Sequence, residues 1–151
     1  MNYFLTGGTG FIGRFLVDKL LARGGTVHVL VREQSQEKLD TLRERWGADE
    51  SRVKAVIGDL TSPNLGIDAK TMKSLKGNID HFFHLAAVYD MGADEKSQQA
   101  TNIEGTHSAV NAAAAMEAGC FHHVSSIAAA GLFKGTFRED MFEEAEKLDH
   151  P

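Results

Sequence analysis

The sequence is poor in the features that mark secreted, membrane-spanning or nucleic-acid-binding chains. Its 151 residues include one cysteine, Cys120, so no internal disulfide can form. A lone thiol fits a reducing compartment, and Cys120 is expected to be a small core residue. The formal net charge is -5, so no overall basic field gathers nucleic acid. No apolar run approaches the roughly 20 residues of a membrane span, so no transmembrane segment is expected. Met1 to Leu5 run straight into a glycine turn, without the basic and apolar regions of a signal peptide. The expectation is a soluble, cytoplasmic protein acting on a small molecule.

What is present is a β-α alternation. About 42% of the residues are hydrophobic, enough for the core of one domain over 1–151. Tyr3 to Thr6 predicts a strand, and Ile12, Phe15, Leu16 and Leu20 follow at helical spacing until Gly24-Gly25. TVHVLV, residues 26–31, predicts strand two, and 34–46 a charged surface helix. Strands are predicted over 53–57, 79–86 and 121–125. Helices are predicted over 68–75, over 94–118 with Ile103, Val110 and Ala114 on one stripe, and over 138–148. Helices long enough to cross over between strands predict an α/β fold, a doubly wound parallel sheet of Rossmann type.

The first turn, TGGTGFIG, holds Gly8-x-Gly10-x-x-Gly13 after a strand and at the start of a helix. Glycines there let the chain turn sharply, let a pyrophosphate reach the backbone and let the helix pack close to the sheet. The phosphates then meet free N–H groups and the positive end of the helix dipole. Strand two ends Leu30-Val31-Arg32-Glu33. Sites for NAD often carry an acid about 20 residues after the glycines, on the ribose 2′-hydroxyl. Val31 stands at that point and Arg32 follows it. Arginine pairs with a 2′-phosphate, which favours NADP(H); Glu33 argues the other way.

Together these stretches resemble the extended short-chain dehydrogenase/reductase family over essentially the whole chain. The resemblance assigns Thr6, Gly7, Thr9, Gly10, Phe11, Ile12 and Gly13 to the cofactor turn. It places Gly58-Asp59-Leu60 at the adenine, with Asp59 the contact, and Leu85-Ala86-Ala87 along the cofactor. Asn102, in TNIEGT, is implied as the brace of the active site. Val124-Ser125-Ser126 resembles the strand carrying the catalytic hydroxyl, with Ser126 first choice and Ser125 second. HFFHLAAVYDMGADE, HHVSSIAAAGLFKG and FREDMFEEAEKLDHP most resemble the reductase region of bacterial alcohol-forming fatty acyl-CoA reductases. That implies acyl-CoA as substrate, with Lys134 and Arg138 as candidates for the CoA phosphates.

The family's proton donor is a Tyr followed four residues later by a Lys. This chain has only Tyr3 and Tyr89, and neither is followed by that Lys. Two explanations stand: a piece of a longer reductase, incomplete at its C-terminal side, or a divergent domain that works without the dyad; a sensor that binds NADP without chemistry is a further alternative. A sugar-nucleotide epimerase or dehydratase, or a ketone reductase, would share the same fold. Seven histidines raise the question of a metal. His81 with His84, and His122 with His123, are poorly placed as chelating pairs on strands, so none is expected.

Overall fold

A computed structural model describes residues 1–87 and 99–145. Five strands form one parallel sheet in the order β3-β2-β1-β4-β5. They are β1 (Asn2–Thr6), β2 (Thr26–Val31), β3 (Val53–Ile57), β4 (His81–His84) and β5 (Cys120–His123). The helices are α1 (Phe11–Ala22), α2 (Gln36–Trp46), α3 (Ala69–Leu75), α4 (Gly105–Ala115) and the short α5 (Phe142–Ala145). None of the described helices is long and apolar enough to cross a membrane. The expected doubly wound sheet is present.

Two cores lie on opposite faces of the sheet. Tyr3, Leu5, Val27 and Val29 pack against Val17 and Leu20 of α1 and Leu39 of α2. Phe4, Val56 and Phe82 pack against Leu75 of α3, Ala109, Ala112 and Ala113 of α4, and Met116 just past its end. Period-two alternation explains the split: neighbours in β1 feed opposite cores. Phe4 and Phe82 stack with centroids 4.7 Å apart at the centre of the second core. Burial of each phenyl ring contributes about 2 kcal/mol.

Several element boundaries differ from the expectation. A short 3-10 turn, Glu33–Ser35, precedes α2, and β4 and β5 are four residues each. A π-helical turn, Gln99–Glu104, leads into α4. The expected start of that helix at 94 lies outside the described residues. So does the end of the last predicted helix beyond 145. The expected stripes also shift. Ile12, Phe15, Ile103 and Val110 are exposed. The buried residues are Gly13, Val17 and Leu20 in α1 and Gly105, Ala109, Ala112 and Ala113 in α4. In α4 small residues win these positions because they let the helix approach closely. A Cβ added to Gly105 would lie 2.7 Å from Leu60 Cγ.

Candidate cofactor site

All five strands are parallel, so their C-terminal ends share one edge of the sheet. Chain order reverses at β1, between β2 and β4, and ligands of open α/β sheets sit at such a switch point. The glycine turn leaves β1 there. Gly7 has φ +71, and a Cβ on it would stand 2.7 Å from the Ala86 nitrogen. Gly10 N–H donates to the Gly7 carbonyl at 3.0 Å. Gly13, in the first turn of α1, lies against the backbone of Gly7 and Gly8; a Cβ there would come within 2.6 Å of Gly8 Cα. No side chain caps α1, and its first turn carries no acid. Its first N–H groups have no partner inside the helix. The result is a backbone cradle with donors and a positive dipole end, which fits a pyrophosphate.

The cradle has a built floor. Leu85 N–H donates to the Thr6 carbonyl at 3.2 Å, and Ala86 N–H to Thr6 Oγ1 at 3.3 Å. Leu85 and Ala86 therefore run directly beneath the turn, and Ala87 follows them. Phe11 and Ile12 contribute backbone; their side chains point outward, and the Phe11 ring carries the Arg14 guanidinium 4.9 Å from its centroid. Thr9 lies within the turn and is half-buried.

Arg32 and Asp59 meet at the same edge. They follow the paired ends of β2 and β3, where Val31 is in register with Ile57. Arg32 Nε lies 3.2 Å from Asp59 Oδ2. Thr61 donates to Asp59 Oδ1 from its backbone N–H at 2.8 Å and its hydroxyl at 2.7 Å. These Thr61 bonds first, and the Arg32 charge after them, hold the Asp59 carboxyl below the usual carboxylate range. Asp59 is thus an anion that aims a half-exposed guanidinium. Glu33 enters the 3-10 turn and is exposed. Leu60, assigned to the cofactor on sequence, turns its side chain into the core at 7% exposure. It packs against Gly105, so only its backbone remains for the edge.

A buried polar chain links the cradle to the helix that carries Asn102. Thr6 and His84 are 0% and 1% exposed. Thr6 Oγ1 lies 2.7 Å from His84 Nδ1, and His84 Nε2 lies 3.1 Å from Thr106 Oγ1. Thr106 donates its hydroxyl to the Asn102 carbonyl at 2.6 Å. The directions follow from the ends. Ala86 N–H donates into Thr6 Oγ1, so the Thr6 proton goes to His84 Nδ1. His84 then carries its proton on Nε2 and donates to Thr106. Burial lowers the His84 pKa to about 4, with His123 adding to the effect, so the ring stays neutral. Thr6 is accordingly a positioning group, its hydroxyl spent inside the protein. Sequence reasoning missed His84 and Thr106; the only signal was a histidine inside the apolar run HFFHLAA.

Ser125 and Ser126 lie beyond β5, which ends at His123, and both are exposed. Val124 N–H still bonds the His84 carbonyl at 3.1 Å, so the segment leaves the sheet at the cradle's edge. Tyr3 is buried at 2% exposure, its hydroxyl turned to Met1 Sδ at 3.2 Å. It stands in β1 away from that edge. Tyr89 lies outside the described residues.

The family model described as "Male sterility protein" matches residues 5–150. The chain belongs to that family. Male sterility domains are a branch of the extended short-chain dehydrogenase/reductases, and this one is a nicotinamide-dinucleotide-binding reductase domain. A Drosophila melanogaster protein provisionally named a fatty acyl-CoA reductase is 32% identical over 126 residues, covering 72% of this chain and 24% of its own length. The terminal R domain of the myxalamid PKS-NRPS pathway superposes with TM-score 0.76 at 29% identity, covering 89% of this chain and 37% of that one. Gre2 from Candida albicans, solved with NADPH, gives TM-score 0.71 at 25% identity, covering 85% of this chain and 38% of that one. The male sterility domain described here thus spans well under half the length of each.

Proposed function

We propose that this chain is the NADP(H)-binding part of a reductase that passes hydride to a thioester or carbonyl, with fatty acyl-CoA as the substrate class and aldehyde or alcohol as product. The observation that carries the cofactor choice is Arg32, aimed by Asp59 at the edge beside the glycine cradle. A guanidinium there pairs with a 2′-phosphate, which NADP(H) has and NAD(H) lacks. Support for the acyl substrate is the similarity to the Drosophila protein provisionally named a fatty acyl-CoA reductase. The resemblance of HFFHLAAVYDMGADE and HHVSSIAAAGLFKG to bacterial acyl-CoA reductases supports the same reading. The single cysteine favours a cytoplasmic setting.

In this reading NADPH supplies the hydride. The cradle, Phe11 to Gly13 at the head of α1, holds the pyrophosphate through backbone N–H groups. Leu85 to Ala87 support the cofactor from below, and Asp59 and Arg32 grip the adenosine end. Ser126, or Ser125 one residue earlier, holds the substrate oxygen where negative charge develops. The chain contains no Tyr with a Lys four residues on to complete proton delivery, so we read it as one part of a longer enzyme. The 151 residues bind NADPH weakly and do not turn over.

Two measurements test this. The purified chain is titrated with NADPH, then assayed with NADPH and a long-chain acyl-CoA. Steady acyl-CoA reduction by the 151 residues alone would overturn the partial-enzyme reading. In a longer parent, Ser126→Ala is expected to keep NADPH binding and lose most turnover; full activity would refute the role of Ser126.

A further inference from the structure

The sheet carries a second cluster of chemically capable side chains, away from the cofactor edge. His81 and Cys120 are the first residues of β4 and β5 and are in register, and His122 is two residues along β5. Period-two alternation puts all three on one face of the sheet. His81 Nδ1 lies 3.0 Å from His122 Nε2. One donor atom from each of the three residues lies within 4.8 Å of the others. Cys120, expected in the core, is instead exposed, because its strand stands at the sheet's edge.

Both imidazoles are braced. The His81 ring stacks on Tyr3 with centroids 5.9 Å apart at 19°. The His122 ring stacks on Phe83 at 4.3 Å and 11°. Two imidazoles and a thiol on two hydrogen-bonded strands make a donor set of borderline softness on a rigid base. Zinc bonds of about 2.0 Å to nitrogen and about 2.3 Å to sulfur put tetrahedral ligands roughly 3.3–3.6 Å apart. The His81–His122 separation needs to open by only a few tenths of an ångström. The sequence pairs, His81 with His84 and His122 with His123, do not form this cluster. Pairing across the strands does.

The geometry points to a divalent transition-metal site, of the zinc class, formed by His81, Cys120 and His122 on the β4–β5 face. Binding shifts the proton shared between the two rings to the vacant outer nitrogen of the ring that held it, and releases the Cys120 thiol proton. Each ring keeps one N–H, on His81 Nε2 and His122 Nδ1, so one proton leaves per metal above the imidazole range. Three protein donors leave a fourth position for water. The site lies at the N-terminal ends of the strands, opposite the cofactor edge, so its role is to tie β5 to β4. Among the described residues β5 pairs only with β4, and the segment leading to Ser125 and Ser126 leaves β5.

The test uses the purified 151-residue chain, reduced and stripped of metal, titrated with Co2+. One equivalent is expected to give the visible bands of a tetrahedral ion and a near-ultraviolet thiolate-to-cobalt band, both removed by Zn2+. Cys120→Ser is expected to abolish the thiolate band and weaken Co2+ binding about tenfold or more. His122→Ala is expected to weaken it comparably, while His107→Ala, on the exposed face of α4, changes nothing. Cys120 is exposed, so its serine variant keeps the fold and decides the outcome even where His122→Ala misfolds. Absence of the thiolate band, or equal binding by Cys120→Ser, overturns the site.

Discussion

His84 makes acid stability a direct probe of the buried chain. Its pKa falls from 6.5 to about 4 because the ring is buried, with His123 contributing. The folded state therefore refuses a proton that the unfolded chain accepts below pH 6.5. Stability rises with pH wherever the unfolded state binds more protons, so this contribution is complete above pH 6.5 and lost as pH falls towards 4. Between pH 7 and pH 5 the two pKa values imply a loss of about 2 kcal/mol from His84 alone. That is a large part of the 5–15 kcal/mol typical of a domain. His28, whose pKa also falls to about 4 through burial and then Lys54, adds to the same slope. The informative quantity is therefore a difference between variants. Urea unfolding at pH 7 and pH 5 is compared for the natural chain and His84→Gln. The glutamine amide can still donate and accept, but it does not titrate. The variant is expected to be weaker at pH 7 and to lose about 2 kcal/mol less on acidification. An unchanged acid loss in His84→Gln would refute the claim that His84 is held neutral between Thr6 and Thr106. Nitrogen chemical shifts of the ring should also show the proton on Nε2; a proton on Nδ1 would reverse the inferred bond directions.

The other expectations concern the cradle and its selectivity. Arg32→Ala should weaken NADPH binding about tenfold or more, the loss of one or more charge-assisted bonds, and leave NADH within about twofold. An unchanged NADPH-to-NADH ratio in fluorescence titration would remove Arg32 from the 2′-phosphate. Gly7→Ala forces a side chain into a left-handed backbone position and against the Ala86 nitrogen. It should cost at least about 2 kcal/mol in urea unfolding; a near-neutral variant would show that the turn relaxes freely.

Much of the fold was legible because the signals were local. TVHVLV alternates and β2 buries every second residue. TGGTGFIG announces a turn that only glycine can make, and Gly7 and Gly13 are held by backbone contacts. Helix faces were harder to read. Hydrophobic size suggested Ile103 and Val110 in the helix predicted over 94–118, but close approach selected Ala109, Ala112 and Ala113 of α4. Leu60 sits beside a cofactor motif in sequence yet spends its side chain on packing against Gly105.

By itself, the sequence determined the parallel α/β plan and the glycine turn, and it marked Arg32 and Asp59 as separate candidates at the strand ends. Each depends on strand alternation, on turn chemistry, or on residues directly after strand ends. Only the tertiary structure decided which side chains meet across strands. Thr6, His84 and Thr106 form one buried chain, although Thr6 and His84 are 78 residues apart. His81, Cys120 and His122 share a face because β4 and β5 pair in that register. Strand pairing is long-range in the chain and short-range in space, and one residue of slip would send each of these groups to the opposite face.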